Sequence, residues 1–282
     1  MLHARRLTPA LGAELHGLTA DVLADESAGD ALYKELLEHQ VVFIRDADLG
    51  PVEMTSLGRS LGELGARHHS YVVHPESDDV VVLEWGGDKK PDAAEWHSDM
   101  TYREQSPFAS ILKAIQLPPV GGDTLWASMY AVHDALPEGL RSELAELEAV
   151  HDMGAFRTDA YRDGGHDGLA DAFAAAGQAV HPVIVHHPVT GRPYLNVSES
   201  FTRWIIGYSA PESARLLTML FDLINRPDFH VRLKWEPNTI AIWDNRGTQH
   251  YAVADYLPHT RIMHRVAVRT DGRMSTAGAG SI

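Results

Sequence analysis

The chain has 282 residues, 44% of them hydrophobic, with no cysteine and a formal net charge of -15. That size supports one large core, and the missing cysteines exclude disulfides and thiolate metal sites. The acidic balance argues against nucleic acid as a partner, because phosphate binding needs a basic footprint, yet it leaves room for a small basic pocket that takes an anion.

The N-terminal stretch carries Arg5, Arg6, Glu14 and His16 and no apolar run. It predicts neither a signal peptide nor a membrane span and fits a cytoplasmic protein; a homo-oligomer stays open. Residues 2–24 read as short strands and turns punctuated by Gly12 and Gly17. Ala31, Leu32, Leu36 and Leu37 give helical spacing over 26–39, and Met54, Leu57 and Leu61 do so over 51–64. Val41–Ile44 and Val80–Leu83 read as buried strands, whereas 67–74 has no clear period. Residues 85–95 read as a loop able to act as a lid. Strands are expected at 108–116 and 123–127, joined by the Pro118–Gly122 turn. Residues 129–149 read as helix interrupted near Pro137, and 154–168 as a long loop or second lid. Residues 180–186 and 193–197 flank a hairpin turn at His187–Gly191. A helix is expected at 211–225, strands at 229–235, 239–243 and 262–268, and a disordered tail at 275–282. Many strands with inserted helices, and no repeat or linker, predict one domain over 1–282: an antiparallel, mainly β, double-stranded β-helix or jelly-roll barrel.

The stretch Glu95-Trp96-His97-Ser98-Asp99-Met100 carries the chemistry. In an extended segment, side chains two apart share a face, so His97 and Asp99 present an imidazole and a carboxylate together. His250, in Trp243-Asp-Asn-Arg-Gly-Thr-Gln-His250, is the best third ligand. Two histidines and a carboxylate on one face leave three positions open on an octahedral metal, the pattern of non-haem Fe(II) oxygenases. The same three ligands could serve a zinc-dependent hydrolase, or persist in a non-catalytic binding protein. The hydrolase leaves Thr124, Arg261 and Arg265 without a shared explanation, and the intact triad argues against a binding protein without turnover; Arg261 and Arg265 share a strand face. Two guanidinium groups facing the barrel interior with no carboxylate alternating beside them call for anionic partners, either a ligand carboxylate or sulfonate or a structural Asp or Glu from elsewhere in the fold.

The chain resembles the TauD/TfdA family, the taurine dioxygenase family of Fe(II)- and 2-oxoglutarate-dependent oxygenases. The likeness is densest in Trp96-His-Ser-Asp99, Gly121-Gly-Asp-Thr-Leu-Trp126, Ile242–Ala252, Asp255-Tyr-Leu-Pro and Arg261-Ile-Met-His-Arg265. The resemblance implies His97, Asp99 and His250 as iron ligands, with 2-oxoglutarate as cosubstrate and O2 as oxidant. It implies that Thr124 and Arg261 hold the far carboxylate of 2-oxoglutarate. It implies a small anionic substrate beside Arg265, His68, Tyr71 and Phe201: a sulfonate such as taurine, an alkyl sulfate, or a carboxylate or specialised metabolite. Where the family member taurine dioxygenase has an asparagine near the substrate amine, this chain has Ala93, and residues 153–168 depart from the family pattern.

Overall fold

The computed structural model describes residues 2–18, 26–65, 71–89, 91, 93–153 and 177–271. In chain order the elements are β1 (His3–Arg6), β2 (Ala13–His16), α1 (Glu26–His39), β3 (Val41–Ile44), α2 (Pro51–Leu61), β4 (Glu63–Leu64), β5 (Val72–His74), β6 (Ser77–Trp85), β7 (Ala109–Gln116) and β8 (Thr124–Ser128). There follow α3 (Met129–Asp134), α4 (Glu138–Leu144), β9 (Glu148–Asp152), β10 (Gln178–Pro182), β11 (Ile184–His186), β12 (Pro193–Leu195) and β13 (Thr202–Ile205). The chain closes with α5 (Ala210–Ile224), β14 (His230–Leu233), β15 (Ile240–Asp244), β16 (Thr248–Ala252) and β17 (Arg261–Thr270).

The large sheet runs β1-β2-β3-β15-β7-β17-β6-β5, with β4 added to β17, and a smaller sheet runs β14-β8-β16. The two face each other as the jelly-roll barrel that the sequence predicts. The pairing is antiparallel except between β2 and β3, which are parallel and joined through α1. That pair departs from the all-antiparallel expectation for a steric reason: parallel neighbours need a crossover, and α1 supplies it.

Apolar runs such as Val41–Ile44 do not alternate because both faces of the large sheet are covered. Val42, Ile44, Ile111, Ile240 and Val266 face outward onto Leu32, Leu36, Met54 and Leu57 of α1 and α2. Phe43, Leu112, Trp243 and Met263 face inward, against Trp126 of the small sheet. Trp126 sits 5.3 Å from Phe43 and 5.7 Å from Trp243 between ring centroids, so aromatic contacts fill the barrel interior.

Several boundaries differ from the sequence reading. α2 stops at Leu61, where the backbone of Gly62 becomes extended and turns into β4; only glycine fits there, because a Cβ would lie 2.1 Å from the Thr270 carbonyl oxygen. The helix expected over 129–149 is two short helices, and its end belongs to β9, where Ala149 and Val150 pair with β10 and β13. The strand expected over 180–186 divides at Val183 between β10 and β11, which lie in different sheets. In α1, Ala31 is exposed and Tyr33 takes its place in the core. β13 and β16 have no counterpart in the sequence reading. The 154–168 loop and the 275–282 tail lie outside the described residues. No helix among the described residues is long and apolar enough to cross a membrane.

Candidate active site

His97 precedes a turn, whereas His250 is the central residue of β16. Their backbones form an isolated antiparallel pair: His97 N donates to His250 O at 3.1 Å, and His250 N to His97 O at 2.8 Å. Their imidazole centroids lie 4.1 Å apart. One ligand atom from each of His97, Asp99 and His250 falls within 4.8 Å of the others, and all three residues are buried. The chain bends directly after Asp99, at Met100, whose φ of 57° is uncommon for a side chain of that size.

Neighbouring groups fix each ligand. His97 Nδ1 donates to the Glu95 carbonyl at 2.8 Å, which leaves Nε2 as its lone-pair nitrogen. His250 turns Nε2 toward Asp99 Oδ1, 3.8 Å away, and its ring lies 4.8 Å from that of Trp243. Asn245 grips the Asp99 backbone from both sides: its carbonyl accepts from Asp99 N at 2.7 Å, and its amide donates to Asp99 O at 3.1 Å. The turn that carries Asn245 is held in turn by Arg246. That guanidinium spans both oxygens of Asp244 at 3.0 and 2.8 Å and reaches Asp271 at 3.0 Å.

The electrostatics favour the ligand forms. Burial lowers both imidazoles below their ordinary value, and His250 is pushed down further by His97, so both nitrogens are kept neutral. Burial alone would raise the Asp99 carboxyl, but Arg265, His250 and His97 together bring it down to about 2. Two neutral imidazoles and one carboxylate are a donor set that fits a divalent first-row metal.

The cavity in front of the triad is lined by Tyr71, Ala93, Thr124, Phe201, Arg261 and Arg265, among others. Arg261, at the start of β17, is 5% exposed and has no carboxylate partner among the described residues; its Nη2 donates to Thr124 Oγ1 at 3.3 Å. Its Nε is buried without a hydrogen-bond partner among the described residues, and burial lowers the guanidinium to about 10. Thr124 Oγ1 also accepts from Trp235 Nε1 at 3.0 Å, so its own proton is left to donate into the cavity. Gly122, at φ +73°, makes room here, because a Cβ on it would come within 3.3 Å of Arg261 Cδ.

Arg265 differs from the sequence expectation. No carboxylate neighbours it in sequence, but the fold supplies one: Arg265 Nη2 lies 2.7 Å from Asp99 Oδ2. Phe201 packs edge-on to His97 at 6.0 Å, and Tyr71 packs edge-on to Trp85 at 6.4 Å, each forming cavity wall. His68 lies outside the described residues. Within 85–95 the described part is a loop held at both ends, with Gly86 bridging Lys89 and the Ala93 carbonyl accepting from Ala252 N at 2.9 Å. Sequence reasoning missed Ser110, Asn245 and Trp235. The Trp-Asp-Asn-Arg segment is a signal for Asn245, whereas Ser110 is a lone hydroxyl in an apolar strand.

A jelly-roll barrel enclosing two histidines, one aspartate and two inward arginines has the donor set of the non-haem oxygenases. The profile of the family described as "Taurine catabolism dioxygenase TauD, TfdA family" matches residues 3–267, and the chain belongs to that family. It is 32% identical to an alkylsulfatase of Acinetobacter baylyi, over 99% of this chain and 88% of that one. It is 33% identical to an alpha-ketoglutarate-dependent sulfate ester dioxygenase of Pseudomonas putida, over 94% of this chain and 90% of that one. A crystal structure of a taurine dioxygenase from Burkholderia xenovorans superposes with a TM-score of 0.80 at 30% identity, covering 95% of this chain and 89% of that one.

Proposed function

We propose that this protein is an Fe(II)- and 2-oxoglutarate-dependent dioxygenase that hydroxylates a small organic sulfonate or sulfate ester. The observation that carries the reading is Arg261, a buried cation with no carboxylate partner among the described residues, beside the free proton of Thr124 and in the same cavity as the triad. Such a group is expensive to bury unless a ligand anion completes it.

His97, Asp99 and His250 would hold the iron, leaving three positions on its open face. Arg261 and Thr124 would bind the far carboxylate of 2-oxoglutarate, so that its keto-acid end reaches the metal. When bound, the iron supplies the oxidising chemistry, in which 2-oxoglutarate, O2 and a substrate C–H bond give succinate, CO2 and a C–OH group. The protein binds, orients and excludes water. Phe201, Trp243 and Leu112 present apolar surface around the reacting region. A hydroxyl placed on the carbon bearing the sulfur group makes that carbon collapse to an aldehyde, with release of sulfite or sulfate.

Charge supports a monoanionic substrate. With the histidines neutral, a dication, Asp99, Arg261 and Arg265 sum to three positive charges. The dianionic cosubstrate removes two, and one anionic head group beside Arg265 neutralises the cavity. Ala93 and the apolar walls favour a hydrocarbon tail over an aminoethyl group. Alkylsulfatase and sulfate ester dioxygenase are the names of relatives aligned over nearly the whole chain.

The test is an anaerobic mixture of protein, Fe(II), 2-oxoglutarate and a substrate panel, exposed to oxygen, with succinate measured. Longer alkyl or aryl sulfonates and sulfates should release succinate at or above the rate seen with taurine, and neutral analogues of the same shape should fail. A neutral or cationic best substrate whose turnover is untouched by Arg265→Ala would overturn the anion reading and leave the oxygenase chemistry intact.

A further inference from the structure

The two oxygens of Asp99 have different surroundings. Oδ1 is the oxygen near His250 Nε2, at 3.8 Å. Oδ2 points into β7 and β17, where it accepts from Ser110 Oγ at 2.8 Å and pairs with Arg265 Nη2 at 2.7 Å. Arg265 Nη2 also donates to Ser110 Oγ at 3.1 Å. The three groups form a closed triangle in which the donors match the acceptors. The Ser110 proton goes to Oδ2, one Nη2 proton goes to Oδ2, and the other goes to the serine lone pair.

Ser110 has no solvent exposure and its place is set by the sheet. It stands opposite Trp243 on β15 and Ala267 on β17, neither of which carries a hydroxyl. We propose that Ser110 is a positioning residue that, together with Arg265, commits Asp99 to bind the metal through Oδ1 alone. This inference rests on the cosubstrate reading above, because its consequence appears in cosubstrate binding. A carboxylate free to turn offers both oxygens to a metal and takes a second position on the open face. Held by the triangle, it takes one, and the open face stays available to a chelating cosubstrate and to dioxygen. Arg265 alone cannot do this, since its long side chain follows the carboxylate as it turns; the short, strand-anchored Ser110 does not.

The experiment compares wild type, Ser110→Ala and Ser110→Thr by anaerobic titration, first with Co(II) or Fe(II), then with 2-oxoglutarate on the metal-loaded protein. Thermal unfolding is followed in parallel to confirm that each variant is folded. Ser110→Ala is expected to bind the metal within about threefold of wild type but 2-oxoglutarate about tenfold more weakly, in the range of outer-shell effects on metal sites. Ser110→Thr, which keeps the hydroxyl, should bind both nearly as wild type does. Wild-type affinities for both in Ser110→Ala would overturn the proposal. So would a loss of metal affinity as large as the loss of cosubstrate affinity, because the hydroxyl would then only support ligation in general. A wild-type protein that binds the metal but not 2-oxoglutarate would sink the cosubstrate reading instead, and this inference with it.

Discussion

Arg261 and Arg265 leave one face of one strand and line one cavity, yet the fold treats them differently. Arg261 is a buried cation with a threonine hydroxyl and an indole face for company, 5.7 Å from the Trp235 ring. Arg265 is locked onto Asp99 and Ser110. An unpaired buried charge is a cost that the folded protein carries until a ligand arrives, whereas a paired one is part of the structure that holds the metal ligand. The comparison separates a charge left open for a ligand from a charge that also orders Asp99.

The largest expected effect lies on the ordered side. Asp99→Ala should abolish metal-dependent succinate formation and, by stranding Arg265, destabilise the protein by about 3–5 kcal/mol, measured by urea denaturation. Near-normal coupled turnover in this variant would show that the triad assignment is wrong. On the binding side, Arg261→Ala should weaken 2-oxoglutarate by about 2–5 kcal/mol while metal affinity stays nearly unchanged, read by anaerobic titration. An unaltered cosubstrate affinity would move that role to Arg265.

A paired substitution tests the contrast directly. Arg265→Met should lower the melting temperature of the metal-free protein, because it leaves Asp99 Oδ2 short of a charged partner. Arg261→Met, which keeps the stem and deletes an unpaired charge, should leave the melting temperature level or raise it. Equal losses in both variants would erase the distinction. Thr124→Val should follow Arg261→Ala in kind but be smaller, about 1.5–3 kcal/mol of cosubstrate affinity for one hydrogen bond to a charged group.

The smallest effect is that of pH on the metal-free fold. Burial, with His181 and Arg203 adding to it, holds His151 down to about 3 from 6.5, and burial holds His264 at about 4. Between those values and 6.5 the unfolded chain binds more protons than the native one, so stability should fall as pH drops through that window. Melting curves from about pH 7.5 down to about pH 4 check the direction, and His151→Gln should flatten the slope.

Much of this was legible in the chain. The β3 strand at Val41–Ile44 and α1 over 26–39 stand as the apolar spacing predicts, because local pattern and tertiary burial agree there. The clustering of His97, Asp99 and His250 was legible because a candidate metal site needs specific residue types, and His97-x-Asp99 with a distant His250 is a short catalogue. β16 was not, because Thr-Gln-His-Tyr-Ala has no apolar alternation; it is a strand by virtue of its partner β8, a non-local fact. The Asp99–Arg265 pair escaped for a similar reason. Asp99 lies in the turn after His97 and Arg265 lies on β17, far apart in the chain, so only the folded barrel brings them together. Glu148 and Ala149, the end of the helix expected over 129–149, show the opposite failure, in which a helix-forming composition was overruled by sheet neighbours.

The reciprocal backbone bonds between His97 and His250 have a consequence for how a metal would be taken up there. The two imidazoles are tied through main chain, 2.8 and 3.1 Å apart at the hydrogen bonds, so a metal does not have to gather them. The entropy of bringing distant ligands together is lost during folding and not at binding. Metal uptake then resembles a rigid receptor meeting its guest, with little change in amide exchange along β16. A chelator should empty the site and leave the barrel standing, ready to be loaded again.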